Sequence, residues 1–191
     1  MEVELVPYKR LKKRAKECPA LLAPEVIDQV EAMIDRMVMS KAVGISAPQV
    51  GIDQRFFVMN PSGRPEDRTL CINPHILTHG HDIVRSREGC INYPERIFFI
   101  VERFAVITVE YITITEDGFK QKTETLKRWP AIVFQHLMEY LDGPDNQVIK
   151  LLEAYDANKQ ENTSDDGLEE VVEQAEKEAE KTEVNQPKKE N

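Results

Sequence analysis

Residues 129–143 read WPAIVFQHLMEYLDG, and the way this stretch folds decides the class of the whole chain. Pro130 stands near its start and Gly143 at its end, and the apolar residues between them recur at helical spacing, so the stretch predicts a helix. Just upstream, AVITVEYITIT (105–115) and FKQKTETLK (119–127) flank the turn residues Asp117 and Gly118 and read as a hairpin. Further back, RFFVMN (55–60), TLCINPHIL (69–77), HDIVRSR (81–87) and ERIFFIVER (95–103) read as strands, and AVGISAPQVGIDQ (42–54) reads as a loop. Pro24 and the recurrence of Val26, Ile27, Val30, Met33, Ile34, Met37 and Val38 predict a first helix ending near Met39. Helix, several strands, helix, with no strand-helix-strand alternation, predicts an α+β fold: antiparallel sheets packed around a late helix.

The chain has 191 residues and a formal charge of −9, distributed unevenly. Residues 156–191 hold twelve Asp and Glu against five Lys and Arg, no aromatic residue and few large apolar ones. Such a segment cannot bury enough surface to offset the entropy of ordering, so the sequence divides into a domain over 1–155 and an acidic, disordered tail over 156–191. The domain itself carries 22 acidic and 20 basic side chains, and with the overall charge this argues against direct nucleic-acid binding. No apolar run approaches the roughly 18 residues of a membrane span, and the opening MEVELVPYKRLKKRAKE is too charged for a signal peptide. Three cysteines, Cys18, Cys71 and Cys90, show no paired spacing, which points to a reducing, cytoplasmic setting rather than a disulfide framework.

Three segments can carry chemistry. GISAPQVG (44–51) is a glycine-bearing loop in which Gln49 offers both a donor and an acceptor. REGCINYP (87–94) sets Cys90 beside Gly89 and Glu88; a buried structural thiol, a ligand and a nucleophile all fit that context. QHLMEYLDG (135–143) places His136 on the predicted helix, where packing competes with metal ligation. His79 and His81 stand at a period of two in an HGH stretch that reads as an exposed turn rather than a metal site.

In this order and at these separations the three segments resemble the motifs of the peptide deformylases, G-x-G-L-A-A-x-Q, E-G-C-L-S and Q-H-E-x-D-H-L-D-G. VGISAPQVG matches the first with Ala42 at the first glycine position and Ser46 at an alanine position, and EGCIN matches the second with Asn92 in place of serine. QHLMEYLDG matches the third at Gln135, His136, Leu141, Asp142 and Gly143. INP (72–74), YP (93–94), Arg103, VEY (109–111) and the EDG turn extend the resemblance over roughly residues 5–152.

The resemblance implies a cytoplasmic monomer acting on the N-terminus of nascent peptides near the ribosome, without membrane attachment. It also implies Fe(II) or Zn(II) held by Cys90, His136 and the second histidine of H-E-x-x-H, whose i, i+4 spacing aims both rings at one ion. The glutamate between them moves the proton of metal-bound water. Here that glutamate position is Leu137 and the second histidine position is Tyr140. Leucine moves no proton, and a phenol with an ordinary pKa of about 10 is a poor replacement for imidazole. Glu139, at i+3 from His136, is the nearest substitute ligand. The substrate half is retained: Gln49 and the backbone N–H of Ile91 match the formyl-oxygen donors. Val43, Trp129, Ile132 and Val133, with Tyr93 nearby, match the methionine pocket, and Gly44, Ile45 and Gly89 the backbone contacts. Two functions follow: a deformylase-like protein that binds N-formylmethionyl or nascent peptides with weak or no hydrolysis, or an active metal-dependent deformylase with an altered ligand set.

Overall fold

The computed structural model describes residues 3–19 and 24–161. The chain divides into two compact units, Met1–Ile149 and Lys150–Asn191.

The first unit opens on a short 3₁₀ turn at Tyr8–Arg10, followed by helix α1 (Pro24–Met39) where the apolar periodicity predicts it. Strands β1 (Gly44–Ser46), β2 (Phe56–Met59), β3 (Thr69–His79), β6 (Val106–Thr115) and β7 (Gly118–Lys127) form one antiparallel sheet, in the order β1-β2-β3-β6-β7. Strands β4 (Ile83–Glu88) and β5 (Phe99–Phe104) pair separately as a two-stranded sheet. Helix α2 (Trp129–Asp142) follows, and helix α3 (Gln147–Glu161) begins in this unit. The architecture is the α+β fold expected.

All four residues of β2 are buried, because the large sheet is covered on both faces. Side chains alternate across a strand. Phe57 and Met59 join Ile107, Val109, Phe134, Leu137 and Leu141 in the core beneath α2. Phe56 and Val58 join Met33, Met37, Ile45 and Ala47 in a second core beside α1. Helix α2 ends at Gly143, whose φ of 74° and contact with the backbone of Lys13, 2.5 Å from where a Cβ would stand, leave room for glycine alone. Asn146 then caps α3, its Oδ1 accepting the N–H of Ile149 at 3.0 Å.

Two sequence expectations need correction. The segment 42–54, read as a loop, holds β1 and a 3₁₀ turn, Ala47–Val50. A three-residue edge strand is too short for a period of two to show. The strand expected from Glu95 begins at Phe99, since residues 95–98 form the wall of a cavity instead. Helix α3 continues through Asp156, where the tail was read to begin, and the rest of that segment from residue 162 lies outside the described residues.

Candidate active site

A cavity of about 470 Å³ opens between the β1 edge, the 87–98 segment and the start of α2. Most of the residues singled out in the sequence line it: Val43, Gly44, Gln49, Gly89, Cys90, Ile91, Tyr93, Trp129, Ile132, Val133, His136 and Leu137. Three do not. Ile45 turns its side chain into the core and has no exposed surface, and its backbone pairs with Val58 of β2, so the backbone contact expected of it is corrected. Tyr140, fully buried one turn beyond His136 on the same face of α2, and Glu139, on another face, are not among the lining residues.

The polar side of the cavity is built by a chain of amides. Gln49 is buried, and its Oε1 accepts from Ser46 N at 2.9 Å and from Ser46 Oγ at 3.1 Å. Its Nε2 donates to Asn92 Oδ1 at 2.9 Å. Asn92 Nδ2 donates to the carbonyls of Val6 and Gln49, at 2.8 and 2.7 Å. The asparagine at a position where serine was expected therefore ties three segments together. Sequence reasoning registered the departure but not its consequence, since nothing in one sequence shows which carbonyls lie within reach.

The helix side is different in character. His136 Nδ1 lies 2.8 Å from Glu88 Oε2, so the ring donates there and Nε2 is the nitrogen left to the cavity. Arg103 grips both oxygens of Glu88, at 2.9 and 2.7 Å, and reaches Glu139 at 2.5 Å. Burial pushes the Glu88 carboxyl up, but hydrogen bonds from His136 and Arg103 and their charges outweigh it and hold it at about 2. Glu139 also accepts from Gln147 N and Nε2, at 3.1 and 2.9 Å. It faces a separate cavity beside β5, away from Cys90, and the suggestion that it serves as a ligand is corrected on that ground.

At the two substituted positions the chemistry is neutral. Leu137 is 2% exposed, and a Cβ on Gly44 would stand 2.5 Å from its Cδ1, so the leucine closes tightly on the edge strand. Tyr140 packs edge-on against His136, ring centroids 5.1 Å apart. Its hydroxyl lies against the Cys90 thiol and meets no acceptor in hydrogen-bonding geometry among the described residues. Burial pushes both the Cys90 thiol and the Tyr140 phenol upward.

The profile of the polypeptide deformylases matches residues 1–145. This chain belongs to that family. It is 39% identical to the peptide deformylase of Thermotoga neapolitana over 134 residues, 70% of this chain and 76% of that one. The crystal structure of peptide deformylase from Thermotoga maritima superposes with a TM-score of 0.67 at 34% identity, covering 75% of this chain and 93% of that one. A plant deformylase structure covers 84% of this chain and 92% of its own at a TM-score of 0.68 and 28% identity. An Acinetobacter baumannii deformylase bound to Met-Ala-Ser matches at a TM-score of 0.67 and 25% identity, covering 75% and 94%.

Peptide deformylases are metal-dependent enzymes of nascent-peptide processing. The donor set of this chain does not fit their ion. Cys90 and His136 are in place, but the third member is a buried phenol that packs against the His136 ring with its hydroxyl beside the Cys90 sulfur, its ionisation opposed by burial. Among the described residues no three His, Cys, Asp or Glu side chains converge to hold a metal. No helix among them is long and apolar enough to cross a membrane.

Proposed function

We propose that this deformylase-family protein binds N-formylmethionyl or nascent N-terminal peptides in the cavity and hydrolyses them weakly or not at all. The observation that carries the reading is Leu137: at the position of the proton-moving glutamate stands a core side chain closed against Gly44. A hydrolase of this design needs a group that takes a proton from water and returns it to the leaving amine, worth about 10²- to 10⁴-fold. Of the two carboxylates lining the cavity, Glu88 has both oxygens held by Arg103 and His136, and Glu95 is an exposed side chain of the 95–98 segment, away from the helix position that Leu137 occupies.

Binding needs only what remains. Asn60 N donates to Val43 O at 2.7 Å, and antiparallel alternation then directs the N–H and C=O of Gly44 away from β2 toward the cavity. An extended peptide adds there as a further strand, each backbone hydrogen bond contributing about 1 kcal/mol. Gln49 Nε2 and Ile91 N–H meet the oxygen of the N-terminal cap. Val43, Trp129, Ile132 and Val133 surround the first side chain, with Gly89 and Tyr93 shaping the mouth. The setting is the cytoplasm, where nascent chains leave the ribosome, with the protein acting as a monomer.

The competing reading is a working deformylase with Fe(II) or Zn(II) on Cys90, His136 and Tyr140. It draws on the orphaned Tyr140 hydroxyl, the one buried polar atom at the site that lacks a partner among the described residues. Elemental analysis after anaerobic purification, with formate release from a formyl-methionyl peptide on the same sample, separates the two. The binding reading expects far less than one tightly held iron, zinc or nickel per chain and formate release close to background. Near-stoichiometric metal with rapid release establishes the enzyme.

A further inference from the structure

The mouth of the cavity has the opposite sign to the protein that carries it. Three cations from three separate segments line it: Lys41 between α1 and β1, Arg87 on β4, and Arg96 on the wall that follows Pro94. All three are exposed, whereas Gln49, Cys90 and Leu137 at the inner end are buried. One exposed carboxylate of the lining, Glu95, opposes them; the other, Glu88, is buried and held by Arg103 and His136. The chain as a whole carries −9. Elsewhere cations stand against carboxylates, Lys13 and Lys16 against Asp53, Arg64 against Asp67 and Lys120 against Asp117. Among the described residues no carboxylate pairs with Lys41, Arg87 or Arg96.

The surrounding structure holds these cations at the mouth. Lys41 N donates to Val38 O and Ala42 N to Met37 O, both at 3.0 Å, which closes the end of α1 with Lys41 at a φ of 53°. Glycine takes that conformation freely and lysine takes it at a cost, so a cation stands here against the local backbone preference. The Arg87 guanidinium lies over the Phe98 ring, with Cζ 4.5 Å from its centroid. The wall that bears Arg96 and Phe98 is seated on the Arg87 segment in turn: a Cβ on Gly89 would stand 2.7 Å from Ile97 O and 3.1 Å from Phe98 Cδ1.

We propose that Lys41, Arg87 and Arg96 are specificity-determining residues that make the cavity select peptides whose second and third residues are Asp or Glu. The inference rests on the peptide-binding reading and names the substrate class within it. The buried end of the groove lies at Gln49 and the exposed end at Lys41, so an extended peptide leaves past the mouth. With its first side chain among Val43, Trp129, Ile132 and Val133, a chain rising about 3.3 Å per residue carries the next two residues across the cations. A single exposed ion pair changes affinity only about twofold to fivefold, so the selection depends on several cations around one exit. Its sign is diagnostic. The field of a chain with a charge of −9 favours basic peptides, and only the local cations favour acidic ones.

The test is calorimetric titration of the full chain at low salt, in the presence of a chelator, with formyl-Met-Glu-Glu, formyl-Met-Gln-Gln and formyl-Met-Lys-Lys. All three are C-terminal amides, so no terminal carboxylate stands in for an acidic side chain. The expected order is Glu-Glu over Gln-Gln by about fivefold to tenfold, with Lys-Lys weakest. At about 1 M salt, where the Debye length falls to about 3 Å, the first ratio should drop below about twofold. Lys41→Glu with Arg96→Glu should invert the order in favour of Lys-Lys. Both positions are exposed, and the readout is a ratio on one sample, so a partly unfolded fraction of the variant cancels. Equal binding of the Glu-Glu and Gln-Gln peptides by the unaltered chain, or a preference that the double variant leaves unchanged, overturns the role given to the three cations while the groove itself stands. Binding of none of the three overturns the peptide-binding reading and this inference with it.

Discussion

The two walls of the cavity have diverged from their family pattern in opposite ways. On the loop wall the departure at Asn92 adds hydrogen bonds, and a serine-sized position now ties Val6, Gln49 and its own segment together. On the helix wall the departures at Leu137 and Tyr140 remove polar function, leaving a leucine in the core and a phenol without an acceptor among the described residues. His136, between them, keeps its bond to Glu88 and with it a fixed ring. On the proposed reading, recognition and turnover are separable in this fold. The loop wall presents hydrogen-bond donors and a strand edge, whereas chemistry depended on two successive turns of one helix.

The comparison breaks most completely if the helix wall can be rebuilt. Leu137→Glu with Tyr140→His restores ligand, base and ligand on one helix face opposite Cys90. The pair is expected to raise formate release from a formyl-methionyl dipeptide by at least about 10²- to 10⁴-fold and to bring metal to one per chain. Either change alone should do far less, since a base without an ion and an ion without a base are both inert. A double variant that binds metal fully and stays inactive would place the divergence in the loop wall as well. An unaltered chain already as fast as the double variant would remove Leu137 and Tyr140 from the argument.

Next in size is the ion cluster that steadies His136. Arg103 is 3% exposed and joins Glu88 and Glu139, so Arg103→Met strands two carboxylates in the interior. Breaking a buried pair from one side costs about 3–5 kcal/mol, measurable as a fall in the urea midpoint. The same cluster fixes an acid limb. Glu88 is held at about 2 against an ordinary 4.5, so its contribution is present at neutral pH and is lost as pH falls through 4.5 toward 2. The loss should approach about 3 kcal/mol in the unaltered chain. In Arg103→Met that limb should shrink, because burial, which favours the neutral acid, is then opposed by His136 alone; an identical limb in both proteins would assign it to other groups.

How much of this was legible beforehand follows from what each feature depends on. Helix α1 and helix α2 show their periodicity because their apolar residues face one core each, and the two-strand turn at Asp117–Gly118 announces its own chemistry. Twelve of the residues singled out in the sequence line one cavity, since order and spacing along the chain are preserved in the fold, whereas Ser40, Lys41 and the 95–98 wall lie outside the motifs and were not singled out. What stayed hidden is contact between distant segments. Val6 and Asn92 are 86 residues apart, and Arg103 and Glu139 are 36 apart. Ile45 was singled out for backbone contacts, and a strand of three residues does not announce that this backbone pairs with β2; for Glu139, i+3 spacing says nothing of which neighbour the carboxylate prefers.

A smaller effect tests how tightly the two walls meet. Gly44→Ala would bring a methyl 2.5 Å from Leu137 Cδ1, the far end of a side chain that can rotate, so it should cost about 1–3 kcal/mol rather than prevent folding. Combining it with Leu137→Ala should recover part of that cost, and a strictly additive pair would show that the contact is not what sets it.

The smallest effect is expected from the acidic end. Removing residues 162–191 takes away only a segment without an aromatic residue, in which Leu168, Val171, Val172 and Val184 are the large apolar side chains. So little apolar surface cannot offset the entropy of ordering thirty residues at about 1–2 kcal/mol each, which is why the sequence reads as a solvated tail. Glu176 and Glu180 repel at i, i+4, and the help from Glu173 to Lys177 is worth only about 0.2–0.5 kcal/mol. The melting temperature of the truncated chain should therefore match the parent's within about a degree, and the tripeptide affinities should not change. A loss of several degrees would show that the segment docks, and would move the domain boundary now read near residue 155 toward the C-terminus.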